Sequence, residues 1–313
     1  MQTYQHVSDD SAFNRYLAAA TSGGEGGSMP STAGAAGRPP VVAADIEGES
    51  NLHHYGERFC LLQLYDGNRP AVVDPMSVSI EPIKPFLESE SIGKLFYDAA
   101  SDRTLLYKTH GILLRGTIDL KVAVELLDME KQGLDSVLQE ALGIDPPASK
   151  KKFQQYNWTK RPIAEEAVDY ALRDVLYLFD LEVELFRRLE AAGKVDEFAA
   201  ENARRDAIVP DLNRKPGVLR SRRFERLSKS RQRKFERLYG IREIYAERLD
   251  MPPNSVVANN DLFAMAAGKL ALSDLRPNRR VPWKIFEELR TEMRRGESGD
   301  RSDSDTAGAA GDS

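Results

Sequence analysis

Cysteine is almost missing from this chain: 313 residues contain one, Cys60. No internal disulfide can form, and no set of thiolates exists to hold zinc or an iron–sulfur group. Cys60 lies in the apolar segment RFCLLQL with nothing beside it to lower its pKa, and reads as a small core residue in reducing surroundings. The four histidines form no cluster with it, which argues further against zinc. No apolar run has the length needed to cross a bilayer, and the polar start MQTYQHVSDD lacks the basic and apolar regions of a secretory signal. The expectation is a cytoplasmic protein with no membrane association.

What is present is an ordinary soluble composition, 41% hydrophobic and 30% charged, in a chain longer than one average core fills. Two domains with flexible ends are expected. The net charge of −5 hides an uneven distribution. The N-terminal two thirds is acidic, whereas Arg222, Arg223, Arg233 and Lys234 belong to a dense basic run between Arg214 and Arg242. An acidic half joined to a basic half suits metal chemistry beside polyanion binding; the alternative for the basic run is a solvated helix face.

YQHVSDDSAFNRYLAAA reads as a short strand and a helix capped at Ser8 or the aspartates beside it. Residues 21–40 are so rich in Gly, Ser, Ala and Pro that a flexible insertion is expected. PVVAADIEG, ERFCLLQLYDG and RPAVVDP then read as three consecutive strands, and IGKLFYDAA as a fourth leading into the helix SDRTLLYKTHG. GTIDLKVAVELL resumes as strand end and helix, and GLDSVLQEALG as a short amphipathic helix. DPPASKKKFQQYNWTKRP is expected to be a loop, and IAEEAVDYALRDVLYLFDLEVELFRRLEAAG one helix of some thirty residues stopped by Gly193. This order predicts an α/β domain with a mixed sheet covered by helices. Four or five short helices are expected over residues 211–294, and a disordered tail over 296–313.

Asp45 and Glu47 in VVAADIEGES lie two apart on a strand and therefore share a face, where the chain is expected to leave the core through Gly48. Two such charges raise each other's pKa unless something positive stands between them, and hard oxygen donors favour magnesium or manganese. A two-metal site needs about four carboxylates, so two more acids are required. LFYDAASD offers Asp98 and Asp102, each with an ordinary alternative as a turn or helix-start residue. Tyr170 and Asp174 lie four apart on one helix face. The tyrosine alone reads as a core aromatic; an acid on the same apolar stripe is costly without a partner.

In this order the segments resemble ribonuclease D, a family of the exonuclease superfamily named for four acids and a tyrosine. Asp45 and Glu47 match the first motif, with Ile46 where threonine is usual. Asp102 matches the second, with Tyr97 in place of a histidine, and Tyr170 and Asp174 match the third. The choice of Asp102 over Asp98 rests on family spacing. Asp119 in GTIDL matches a recurrent acid at a helix start, to which a capping or supporting role is assigned. Residues 41–190 carry this resemblance.

LNRKPGV through FEELR resembles HRDC, the helical domain shared by RecQ-type helicases and ribonuclease D, in one copy where bacterial members often have two. The implied architecture is an RNase H-like exonuclease domain over 1–207 and a small all-α HRDC-like domain over 208–295. The implied activity is 3′ to 5′ exoribonuclease action on tRNA precursors and other small structured RNAs, releasing nucleoside 5′-monophosphates. Asp45, Glu47, Asp102 and Asp174 would hold two magnesium or manganese ions, one activating a water and the other stabilising the departing 3′ oxygen. Tyr170 would orient that water. Lys151, Gln154, Arg222, Arg223, Arg233 and Lys234 are candidates for RNA contacts, and no obligatory protein partner is evident. The rivals are a DNA 3′ to 5′ exonuclease and a catalytically silent RNA-binding scaffold.

Overall fold

The structure, a computed structural model, describes residues 3–22, 39–147 and 150–299, without the side chains of 150, 151 and 296–299. Most of the Gly-rich segment expected to be flexible, and the tail from residue 300 onward, lie outside the described residues. The chain divides into two compact units, Met1–Glu49 with Glu57–Leu212, and Ser50–Gly56 with Asn213–Ser313.

The first unit is built on a six-stranded sheet of β1 (Gln5–Val7), β2 (Val41–Ser50), β3 (Glu57–Tyr65), β4 (Pro70–Val73), β5 (Gly93–Phe96) and β6 (Thr117–Asp119). Their order across the sheet is β1-β4-β3-β2-β5-β6. β3 and β4 are antiparallel, whereas β1 pairs with β4, β2 with β5 and β5 with β6 in parallel, so the sheet is mixed. Among the described residues nine helices are interspersed with and follow the strands: α1 (Asp10–Thr21), α2 (Ile80–Glu88), α3 (Ala100–His110), α4 (Lys121–Leu126), α5 (Leu134–Leu142), α6 (Lys150–Phe153), α7 (Glu165–Leu176), α8 (Leu178–Ala192) and α9 (Val195–Asp206).

Alternation along β2 places helices on both faces. Val42, Ala44 and Ile46 pack with Phe13 of α1, Phe86 of α2 and Leu106 of α3. Val41 and Ala43 pack with Val124 of α4, Leu138 of α5, Ala171 of α7 and Leu181 of α8. Asp45 and Glu47 carry on this second row. A strand covered on both faces must be apolar nearly throughout, which is why VVAA precedes the first acid.

Three local readings are corrected. β2 runs on past Gly48 to Ser50, so the paired acids sit in the body of a ten-residue strand. The segment expected to be a loop contains the helical turn α6 and buries Phe153 and Trp158, whose apolar area outweighs its polar neighbours. The thirty-residue helix is two: Tyr177, with φ −104° and ψ 1°, interrupts it between α7 and α8. Both helices keep apolar faces on the sheet, which is why the break leaves no gap in the periodicity. Asp9 caps α1, accepting from Ala12 N at 2.8 Å.

The second unit contains α10 (Arg222–Glu225), α11 (Lys229–Arg248), α12 (Pro253–Val256), α13 (Asn259–Ala266) and α14 (Trp283–Gly299) around a core of Phe235, Leu238, Leu262, Phe263, Phe286 and Leu289. Within it Asp250 holds Ser50–Gly56 by accepting from Tyr55 N at 3.2 Å and pairing with His54 Nδ1 at 2.8 Å. No helix among the described residues is long and apolar enough to cross a membrane.

Candidate active site

One ligand oxygen from each of Asp45, Glu47 and Asp174 lies within 4.8 Å of the others. Two come from neighbouring positions on β2, the third from α7. Ala167 and Ala171, both with no exposed surface, are the small residues with which α7 meets the core, and Asp174 follows Ala171 by three positions.

Asp102 enters from α3, a helix of the opposite layer. A Cβ on Gly48 would lie 2.6 Å from Leu105 Cδ2, so glycine is what lets α3 press against β2. Leu105 and Asp102 are three apart and share that face of the helix. Asp102 stands outside the triangle of the other three acids, but its charge is the foremost ionic influence raising the pKa of Asp45.

The electrostatics ask for a cation. Burial, then Asp102, Asp174 and Glu47, push Asp45 well above the usual carboxylate range, with only the Ile46 backbone amide opposing. Burial, then Asp174 and Asp102, do the same to Glu47 with nothing opposing. Burial, then Asp98 and Asp119, raise Asp102 to about 7. A cluster of oxygen donors that burial and one another drive toward protonation fits a hard divalent ion, which would reverse each of these shifts.

Asp98 is used otherwise. Its backbone is left-handed, at φ 65°, and its carboxylate pairs with Lys121. Asp119 is buried and accepts from Asp98 N at 2.8 Å, Ala99 N at 3.3 Å and Lys121 N at 3.0 Å. It thus satisfies amides at the start of both α3 and α4.

Tyr170 lies beside this cluster: burial first, then Asp174, Glu47, Asp135 and Asp45, raise its pKa. Its ring stacks on Phe153, with centroids 5.1 Å apart and planes at 29°. Phe153 continues to Tyr156 at 6.0 Å and Tyr156 to Trp158 at 4.8 Å. The Tyr156 hydroxyl accepts from Ala164 N, the residue that opens α7, at 3.1 Å. Arg161 anchors the far end of this ladder, donating to Asp74 from Nε at 2.6 Å and from an Nη at 2.7 Å, and to the Cys60 carbonyl at 2.8 Å. None of Phe153, Tyr156 or Arg161 is marked out by the sequence reading; the signal was three aromatics within six residues of a polar stretch.

The Lys151 side chain lies outside the described residues, and Gln154 is exposed. Arg222 and Arg233 are exposed on the second unit and Lys234 is half-buried there. Arg223 is exposed but engaged, with its guanidinium 4.2 Å from the Phe263 ring centre and 2.5 Å from Asn260 Oδ1. Cys60 is buried, which pushes its thiol up to about 11 and makes it inert.

Comparison with known proteins adds an independent line. The family described as 3′-5′ exonuclease matches residues 29–190. Ribonuclease D of Escherichia coli strain K12 is 27% identical over 176 residues, which is 54% of this chain and 46% of that protein. The chain spans about half the length of the curated relatives it matches. Among solved structures, the catalytic core of RRP6 from Trypanosoma brucei superposes with a TM-score of 0.75 at 18% identity, covering 96% of this chain and 80% of that one. The Escherichia coli RNase D structure, described as an exoribonuclease involved in structured RNA processing, gives 0.65 at 22% identity, covering 95% and 76%. These likenesses establish the fold: an RNase H-like mixed sheet followed by a helical region.

Proposed function

Because this chain belongs to the 3′-5′ exonuclease family of ribonuclease D, whose members use divalent metals, we propose that it is a 3′ to 5′ exoribonuclease trimming tRNA precursors and other small structured RNAs with 3′ extensions. The observation that carries this reading is the meeting of Asp45, Glu47 and Asp174 within 4.8 Å in that fold. Residues 1–207 form the exonuclease domain and 208–295 an HRDC-like RNA-binding domain in this reading, and the cytoplasm is the compartment it requires.

Asp45, Glu47, Asp174 and Asp102 would hold two magnesium or manganese ions, which supply an activated water and charge compensation at the leaving 3′ oxygen. The chain's own contribution is placement. The Tyr170 hydroxyl, kept protonated by burial and then by its acidic neighbours, is a hydrogen-bond donor and acceptor rather than a base, and it orients the water against the terminal phosphodiester. The stack on Phe153 fixes the ring from which that hydroxyl projects. Arg222, Arg233 and Lys234 contribute phosphate contacts whose strength falls with salt.

The test is magnesium-dependent release of nucleoside 5′-monophosphates from a tRNA carrying a labelled 3′ extension. Asp45→Asn and Asp174→Asn are each expected to abolish release while RNA binding persists. Unimpaired trimming by both variants overturns the site. Faster trimming of single-stranded DNA of the same length overturns the preference for RNA.

A further inference from the structure

Every described Phe and Tyr of the second unit is buried or half-buried, whereas Trp283 is 61% exposed. It is held at one side by Phe286, which is fully buried, with ring centres 5.9 Å apart. Around it in sequence stand Arg279, Arg280 and Lys284, all exposed. Among the described residues none of the three forms an ion pair.

That lack of partners is selective. In the same unit Arg242 pairs with Glu243 at 2.8 Å, Arg248 with Glu288 at 2.6 Å and Arg290 with Glu287 at 3.0 Å. The two glutamates one turn along from Lys284 are therefore already engaged. The turn that presents the cations is itself fixed, since Val281 is buried and donates to the Asn278 carbonyl at 2.9 Å, and Arg280 N donates to Asn278 Oδ1 at 3.0 Å. An exposed aromatic ring with cations that form no ion pair beside it in sequence, in a chain of net charge −5, matches the chemistry of a single-stranded nucleic acid, whose bases stack on such rings while its phosphates meet cations.

This locus is separate from the basic run around Arg222–Lys234. The contacts Arg248 to Glu288 and Tyr245 to Glu292 show α14 running antiparallel to α11, with Trp283 beyond the C-terminal end of α11. Lys229 opens the other end, roughly 28 Å away at ~1.5 Å per residue. Resting on the reading of the protein as an RNA-trimming enzyme, we propose that Trp283, Arg279, Arg280 and Lys284 form a stacking platform for an unpaired stretch of the RNA substrate.

The full chain carrying Asp174→Asn, which leaves RNA uncut, is titrated with a single-stranded uridine oligonucleotide while tryptophan emission is followed. The other tryptophan, Trp158, is 4% exposed, so Trp283 is the reporter. Saturable quenching is expected, together with loss of that signal and about tenfold weaker binding in Trp283→Leu. Arg279→Gln with Arg280→Gln is expected to lower the slope of log affinity against log salt by ~1.4, at about 0.7 per phosphate contact. A blunt RNA duplex of equal length is expected to leave the emission unchanged, because its bases are already stacked.

RNA retention on filters with no change in emission overturns the proposal. So does an emission change on concentrating the protein alone, which would make the surface a contact between copies of the chain. Trimming by the parent protein is scored separately, so a platform that quenches on RNA while the enzyme cuts only DNA would sink the substrate reading and leave the platform standing.

Discussion

Replacing Asp102 by asparagine is expected to make the metal-free protein more stable above neutral pH while weakening its response to magnesium. Burial, then the charges of Asp98 and Asp119, hold the Asp102 carboxyl at about 7 in the folded chain, against an ordinary 3.8. A carboxyl whose folded pKa is raised favours folding through its protonated form. That contribution is complete below about pH 4, declines as pH rises, and is gone above about pH 7, where the ionised group opposes folding. A gap of about three pH units at ~1.4 kcal/mol each sets a ceiling of about 4 kcal/mol. Asp102 keeps some solvent contact, which screens these charges, so the net penalty is on the order of 2 kcal/mol.

Asparagine cannot ionise and escapes that penalty. At ~2–4 °C per kcal/mol, its Tm in EDTA at pH 8 should exceed the parent's by about 4–8 °C. At pH 4 the two should melt together. Magnesium should raise the parent's Tm by more than the variant's, which keeps the Asp45, Glu47 and Asp174 oxygens but has one ligand fewer, because ions stabilise the state that binds them. Circular dichroism melts at both pH values, with and without the metal, make the measurement. A metal-free parent that melts at or above the variant at pH 8 would refute the argument that these acids repel one another.

Phe153→Ala should lower kcat by about tenfold with KM nearly unchanged, since it frees the Tyr170 ring, and should cost about 3 kcal/mol of stability by emptying a buried site. Phe153→Leu refills the site without an aromatic face, so it should recover most of the Tm but not kcat; parent-like turnover in that variant would show that the stack does no positioning. Gly116→Ala is expected to lower the denaturation midpoint by the equivalent of about 2 kcal/mol. Gly116 has φ 64°, and an added Cβ would lie 2.7 Å from the Ser89 carbonyl oxygen and 2.9 Å from that of Ile92. Urea unfolding with an unchanged midpoint would contradict it.

How far the sequence could be read depended on whether a constraint was local. The D-x-E pair shares a strand face whatever surrounds it, and the apolar run before it can only be a strand covered on both sides. Choosing Asp102 over Asp98 was not possible on those grounds, because both lie at a strand-to-helix junction. What separates them is a partner 23 residues away, Lys121, which pairs with Asp98. The break at Tyr177 was invisible because the apolar spacing runs on through it. Phe153 and Arg161 were missed for a related reason: polar neighbours disguised a segment that folds only against residues far off in the chain, Tyr170 and Asp74.

The acids of the site come from three separate elements, and in the absence of a cation they repel, so some other interaction must keep those elements in place. For α3 it is a relay of backbone amides. Asp119, at the end of β6, accepts from the amides of Asp98 and Ala99 at the helix start. β6 is an edge strand, and α9 completes it as a neighbouring strand would: Asn202 accepts from Asp119 N at 2.7 Å, and Asp206, one turn later, from Thr117 N at 2.9 Å and Gly116 N at 3.1 Å. Arg103 follows Asp102 on α3 and ties back to the same point, with an Nη 2.8 Å from Thr117 Oγ1 and 3.5 Å from an Asp206 oxygen. Each acceptor in this relay is matched to a donor that has no other partner in a ladder, so it adds order without apolar area. The position of Asp102 is thereby set by α9, a helix at which no acid of the cluster resides, and the metal need supply only the charge that the fold withholds.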